Sequence, residues 1–343
     1  MGKCPDMRVI TCCAVLSLGY CMLIMNDRLE DIEVTHEPID FVVTWVNGTD
    51  RRPGSYYPQP DKNRWRDWGE LKYALRSIEG NAPWFRRVYL VVNSDDPSAL
   101  PSWLDLDQER LEVVPLWKIF QSPDTDLPTA NSNAVEVNLH RIDGLSRRFV
   151  YTNNDFFINK PISRSFFFYN RGQRIYLHVV RQPDTPTSRA PRDVAMAYNK
   201  KALDEAFGHK TRMQDVHAPI GLDRSVLYGM ESLFGGMFNE TSSHKTRSET
   251  DVILAFLYDH YATEMGHGYP VNSPIWTTKN FIHFGLRDSL WRNRGYMALV
   301  KFVSPTMFCI NDDVSDTNLE PIIRSELTTF LESQFPAPSV FER

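Results

Sequence analysis

Apolar residues in this chain gather in short unbroken runs that stop at Asn, Asp or Gly. Between those runs they recur every three or four positions. The first run, Ile39 to Val46, halts at Asn47-Gly48-Thr49-Asp50. An apolar stretch without alternation, ended by a turn, is the pattern of a strand covered on both faces in a parallel sheet. Val88 to Val92 stops in the same way at Asn93-Ser94-Asp95-Asp96, and Leu111 to Val114 is a third such run. Arg148 to Thr152 is a fourth, ending at Asn153-Asn154-Asp155. Leu71, Ala74, Leu75 and Ile78 form the stripe of a helix over Trp65 to Gly80. This alternation predicts an α/β fold with a doubly wound, mostly parallel sheet.

The stretch from Asn131 to Asp155 places two carboxylates near one crevice. Asn131 and Ser132 are good helix N-caps, with Glu136 one turn later. Ala134, Val135, Leu139 and Ile142 keep helical spacing, and Gly144 closes the helix. Asp155 follows the next strand, at the sheet edge where open α/β folds bind ligands. Further on, Phe156 to Ile158 and Phe166 to Phe168 read as packing, and Ile175 to Val180 as a strand. Helices are expected at Val194 to Phe207, at Arg224 to Phe234 (broken by Gly235-Gly236) and at Glu249 to Tyr261. The last third holds apolar segments at Thr277 to Phe284 and Ala298 to Val303. A strand then runs into Asn311-Asp312-Asp313, and a helix from Leu319 to Phe335 follows.

The N-terminus breaks this pattern. Val9 to Met25 is almost wholly apolar, with Lys3 and Arg8 before it and Asp27, Glu30, Asp31 and Glu33 after it. That charge order predicts a span with a cytosolic N-terminus, and Gly19-Tyr20-Cys21 is a poor cleavage site, so an uncleaved signal anchor is favoured. The expected organisation is tail and anchor over residues 1–26, stem over 27–38, a folded domain over 39–335 and C-terminal tail over 336–343. Such a chain is a single-pass type II protein of the Golgi or another secretory membrane, with its folded domain lumenal. Two glycosylation sequons occur, Asn47-Gly48-Thr49 and Asn239-Glu240-Thr241, the second expected in a surface loop.

Composition narrows the chemistry. A net charge of −5 gives no support for general nucleic-acid binding. Cys309 is the sole cysteine beyond the N-terminal segment, so the body has no disulfide framework and no thiolate cluster for a metal. Gly-rich phosphate loops of the dinucleotide or Walker type are absent, which disfavours dehydrogenases and P-loop enzymes; no Gly-x-Ser-x-Gly elbow is present either. What remains is a set of strand ends rich in Asn and Asp, whose oxygens suit Mg²⁺ or Mn²⁺ holding phosphate. Trp45 and Asn47 stand where a base could be stacked and hydrogen-bonded. Arg247, expected just before a helix, is placed to attract an anion.

Taken together, these blocks resemble the Stealth family of sugar-1-phosphate transferases, which includes bacterial capsule polymerases and the Golgi enzyme that makes the mannose-6-phosphate tag. Ile39 to Asp50 is similar to its first signature. Arg64 to Glu79, Ala82-Pro83-Trp84, Leu127-Pro128-Thr129, Ala134 to Glu136, His140 to Ile142, Gly144 to Ser146 and Tyr151 to Asp155 are similar to its second. Val216-His217 through Arg247 resembles the third, and Phe308 to Asp313 the fourth. The resemblance implies a GT-A/Rossmann-like fold with helical additions, and attack by an acceptor hydroxyl on the β-phosphate of a nucleotide-sugar. It implies Glu136, Asp155, His217 and Arg247 as the catalytic set, with His217 or Glu136 as the base. Trp45, Asn47, Gly48, Arg66, Asp67, Arg76 and Asn131 are the implied donor-binding residues, and Asp155 and Asp312 the ligands of Mg²⁺ or Mn²⁺. The donor favoured is a UDP-HexNAc, with GDP-mannose and UDP-xylose as alternatives, and the acceptor is a glycan or glycoprotein. A metal-dependent glycosyltransferase and an inactive glycan-binding subunit are the rival outcomes. Asn154 stands where many relatives carry Asp, and Leu116 to Lys118 replaces a polar segment.

Overall fold

In the computed structural model, which describes residues 36–48, 66–94, 96–169, 172–271 and 279–343, the four early apolar runs become neighbours in one sheet. They are β1 (Ile39–Trp45), β2 (Val88–Val92), β3 (Leu111–Pro115) and β4 (Arg148–Asn153), in the order β3-β2-β1-β4, every pair parallel. Their lack of alternation has a direct cause, because both faces are covered. Phe41, Val43, Leu90 and Val92 pack with Leu71, Leu75 and Ile78 of α1 (Glu70–Asn81). Val42, Tyr89, Val91 and Val114 face a second core with Ala134, Val137 and Leu139. Ala134 belongs to α3 (Ser132–Glu136), which follows the single turn α2 (Pro123–Asp126). The expected helix up to Ile142 is thus α3 plus a 3₁₀ turn at Leu139–Arg141, and Gly144 ends it with φ of 71°.

After β4 come β5 (Phe156–Ile158), β6 (Phe168–Tyr169), β7 (Gly172–Arg181), α4 (Pro191–Phe207), β8 (Met213–Asp215) and β9 (Ile220–Asp223). Next are α5 (Arg224–Ser243), α6 (Leu254–Glu264), β10 (Gly268–Val271), β11 (Phe281–Leu286), α7 (Leu290–Val303), β12 (Met307–Asp312) and α8 (Glu320–Gln334). β9 extends the main sheet antiparallel to β4, so the sheet is mostly, not wholly, parallel. β5 joins a second sheet in the order β11-β12-β5. The turn between β4 and β5 therefore links the two sheets, and it carries Asn154 and Asp155. The Ile310 amide donates to the Asp155 carbonyl at 3.0 Å, drawing the end of β12 to that turn.

Four expectations change. Gly235-Gly236 does not end α5; only Phe234 departs from helical angles (φ −113°, ψ 26°). Buried Val226, Leu227, Met230 and Phe238 on both sides offset the roughly 1 kcal/mol per Gly that a helix interior loses. The second sequon's Asn239 accordingly lies on α5, not in a loop. α6 starts at Leu254 because the amides before it serve tertiary partners: Val252 donates to Thr241 Oγ1 and Ile253 to Asn199 Oδ1. Arg247 is therefore not at a helix N-terminus. The last residues are also no loose tail. Phe341 is fully buried, and Leu104 bridges Glu342.

The Val9 to Met25 run, Thr49 of the first sequon and the start of the Thr277 segment lie outside the described residues. Among the described residues, no helix is long and apolar enough to cross a membrane.

Candidate active site

In the order β3-β2-β1-β4, chain direction across the sheet reverses beside β1, and such a switch leaves a crevice beyond the carboxyl ends of the strands. A cleft of ≈ 620 Å³ opens there. β1 contributes Thr44 and Trp45, β4 and its turn contribute Tyr151 and Asn153 to Asp155, and the end of β12 with the residue after it contributes Asn311 to Asp313. His217, Arg247, Arg192 and His283 close it from the other elements. Residues more than a hundred positions apart in the chain thus share one space.

Asp155 sits at the junction of the sheets. Its Oδ1 is buried and has no hydrogen-bond partner among the described residues. Burial pushes its carboxyl up to about 7, against the opposing pull of its own backbone amide and the Cys309 thiol. Nearby Glu70 is buried and pushed well up, first by burial and then by the charges of Asp155 and Asp67. An orphaned oxygen among crowded carboxyls is a poor arrangement for an apo protein and a good one for a hard divalent cation. The donor set therefore fits Mg²⁺ or Mn²⁺. Asp312 is less available than expected: its two oxygens lie 3.0 and 2.9 Å from Arg66 Nη1, and Oδ1 also accepts from the Val314 amide. Gly285 matters here, since a Cβ at that position would overlap the Asp313 carboxylate that lines the cleft.

Glu136 lies one layer behind the wall. Its Oε1 is 3.2 Å from the Tyr151 hydroxyl, which in turn lies 2.7 Å from Asn153 Oδ1; Thr44 Oγ1 donates to the same oxygen at 2.7 Å. Burial raises the Glu136 carboxyl to about 7, while Arg247 and then Tyr151 and Arg192 pull it down. His217 stacks edge-on against His283 (4.5 Å, 64°) and tilted against Phe156 (4.9 Å). Burial, then the charges of His283 and Arg192, lower His217 to about 4, so the ring is neutral at pH 7. The ligand atoms of His217, His283 and Cys309 lie within 4.8 Å of one another, a softer donor set beside the carboxylates.

Arg247 is positioned by a buried acid. Asp251 is fully buried; its Oδ2 accepts from the Ser248 amide and from both Asn131 Nδ2 and Asn133 Nδ2, each at 2.9 Å. Its Oδ1 lies 2.7 Å from His244 Nδ1. This clamp ties the Arg247 loop to the start of α3, where Arg247 Nη2 donates to Ser132 Oγ at 3.0 Å. Asp251→Ala leaves those donors unsatisfied and is expected to cost on the order of 3 kcal/mol. Urea unfolding measures that loss, and an unchanged midpoint would remove Asp251 from this role.

Of the residues anticipated from sequence, Trp45, Arg66, Asp67, Asn131, Asp155, His217, Arg247 and Asp312 line the cleft. Glu136 reaches it through Tyr151. Asn131 is almost wholly buried, its side chain spent on capping α3 and on Asp251. Asn47 and Gly48 lie just past Val46, the last lining residue of that strand end, and Asn47 Nδ2 donates to the Ala99 carbonyl. Arg76 is not brought to the cleft. Its guanidinium is held by Glu342, Glu332 and the Phe335 carbonyl, so it locks the C-terminus onto α1. Arg192, His283, Asp313 and Glu70 were missed. The Arg189-Ala190-Pro191-Arg192 cluster hinted at Arg192, and the Asn311-Asp312-Asp313 strand end at Asp313; Glu70 and His283 carried no such signal.

Three family descriptions match: Stealth protein conserved region 2 over residues 64–175, conserved region 3 over 216–264 and conserved region 4 over 301–343. Together they cover more than half of the chain, which belongs to the Stealth family. An exopolysaccharide phosphotransferase of Streptomyces coelicolor is 38% identical over 89% of this chain and 52% of its own length. The capsular polysaccharide phosphotransferase SacB of Neisseria meningitidis serogroup A is 32% identical over 89% of this chain and 57% of its own. The chain spans about half the length of these curated relatives. Among solved structures, galactosyltransferase LgtC in complex with donor and acceptor sugar analogues aligns with a TM-score of 0.42 and 8% identity, over 88% of this chain and 98% of that one.

Proposed function

We propose that this protein is a phosphotransferase that moves a sugar-1-phosphate, HexNAc-1-phosphate above all, from a nucleotide diphosphate sugar to a hydroxyl of an acceptor glycan. The observation that carries this reading is the convergence of Asp155, His217 and Arg247 on one cleft, with Glu136 one hydrogen bond behind. The acceptor oxygen forms a bond to the β-phosphorus, the bond from that phosphorus to the bridging oxygen breaks, and nucleoside monophosphate leaves. Such transfers depend on positioning and charge neutralisation more than on covalent help.

His217 is the proton acceptor. It lines the cleft as a neutral ring, whereas Glu136 stands behind Tyr151, and reach decides between two candidate bases before pKa does. Arg247 and Arg192 neutralise the diphosphate, and Glu136 orients Tyr151 and balances the Arg247 charge. Mg²⁺ or Mn²⁺, held by Asp155 with Glu70 and Asp312 around it, would supply further neutralisation of phosphate oxygens. Trp45 at the end of β1 borders the cleft with its ring packed into the core, so it backs the donor site and does not stack on the base. The N-terminal apolar run supports a type II arrangement with this domain on the lumenal side of a secretory membrane.

A screen of UDP-, GDP- and CMP-sugars with a glycan acceptor, reading released nucleotide, tests the proposal. One donor is expected to yield nucleoside monophosphate, with the signal lost in His217→Ala. Release of nucleoside diphosphate would identify a glycosyltransferase. Silence across all donors, with and without Mn²⁺, would point to a binding subunit.

A further inference from the structure

Helix α7 carries a surface unlike the rest of the molecule. Its buried side is Asn293, Met297 and Val300, and Tyr296 stacks on Phe284 at 5.2 Å, so it is firmly seated on β11. A 3.6-residue repeat puts Trp291, Gly295, Ala298 and Phe302 on the opposite meridian, where a soluble helix carries charge. Trp291 is 71% exposed and Phe302 89%, with Leu299 beside them at 44%. Cations border this ridge on both sides, Arg292 on one and Arg294 with Lys301 on the other. The helix sequence LWRNRGYMALVKFV contains no acid.

From this pattern we infer that α7 is an interfacial helix that seats the domain on an anionic lipid bilayer. An apolar ridge containing Trp and Phe, flanked by Lys and Arg, is what a helix lying in the headgroup plane presents. The basic flanks match the negative charge of acidic headgroups, an attraction that acts within a Debye length of the surface. A protruding ridge, with Phe302 almost fully exposed, suits a deformable lipid layer. A second copy of the chain would need a matching groove. Of the flanking cations, Arg294 already faces Glu326 at 2.5 Å, whereas among the described residues the side chains of Arg292 and Lys301 meet rings and no acid, Trp291 and Phe330 respectively. Arg292 and Lys301 are therefore the pair that meets lipid. The sequence supplies independent support, because the Val9 to Met25 run would hold the domain near a membrane whichever way it faced.

The test uses the full chain in vesicles of phosphatidylglycerol and phosphatidylcholine whose acyl chains carry bromine just below the headgroups. The emission of Trp291 is taken as the difference between the parent and Trp291→Phe, a change at an exposed position that leaves the fold intact. In the anionic vesicles that difference signal is expected to shift to the blue and lose most of its intensity. In Arg292→Glu/Lys301→Glu, or with phosphatidylcholine alone, both effects should disappear while overall binding through the N-terminal segment persists. A Trp291 signal untouched by bromine in anionic vesicles would overturn the inference. Shielding that follows protein concentration and not lipid would do the same, and would assign the ridge to a second copy of the chain.

Discussion

Arg247→Ala is expected to lower kcat by on the order of 10²–10³-fold, the usual cost of removing one preorganised donor from a developing phosphate charge. The reason lies in how the side chain is held. Asp251 fixes the loop, Ser132 orients Nη2, and Glu136 balances the charge from behind the wall, so the guanidinium would meet the proposed diphosphate without reorganising. Arg247→Lys should recover only part of the loss, because an ammonium keeps the charge but not the planar fork. Thermal stability should hardly change, since the clamp belongs to Asp251. Turnover of the alanine variant equal to that of the parent would exclude Arg247 from the reaction, and an equal fall in Tm would recast it as structural.

The second large effect has opposite signs for activity and stability. Asp155→Asn is expected to abolish divalent-dependent turnover, yet to stabilise the metal-free protein above neutral pH. The folded carboxyl is raised to about 7, whereas the unfolded one ionises near 3.9. Between those values the folded state holds a proton that the unfolded state has released, so stability falls as pH rises through this window. A shift of this size corresponds to at most about 4 kcal/mol once the carboxyl is ionised. Melting curves should therefore coincide for parent and variant near about pH 4 and separate in favour of the variant near about pH 8. Added Mg²⁺ or Mn²⁺ should raise the Tm of the parent alone. A variant less stable than the parent at both pH values would show that Asp155 is a structural partner and not a site held in reserve for a cation.

Much of this site was legible because the code for it is local. An apolar strand covered on both faces has no alternation, and its exit into Asn and Asp marks the sheet edge; that holds for Trp45, for Asn153 to Asp155 and for Asp312. Other features depend on contacts between distant segments, which periodicity does not carry. Arg76 has the spacing of a cleft residue on α1, but Glu342, at the far end of the chain, claims it. Asp251 looks like a helix-start acid, whereas it serves four polar groups from three segments. Arg192 and His283 reach the cleft only because the second sheet and α4 fold over it. In the Ala298 to Val303 segment Val300 is buried while Ala298, Leu299 and Phe302 face outward on α7, so hydrophobicity there does not by itself report burial.

The central claim is that these side chains act on the β-phosphate. It is tested most directly by following that atom in a donor labelled with ³²P at the β position. The label is expected to leave with the sugar, in a phosphodiester that resists phosphatase, while unlabelled nucleoside monophosphate accumulates. Label retained in released nucleoside diphosphate would contradict the account.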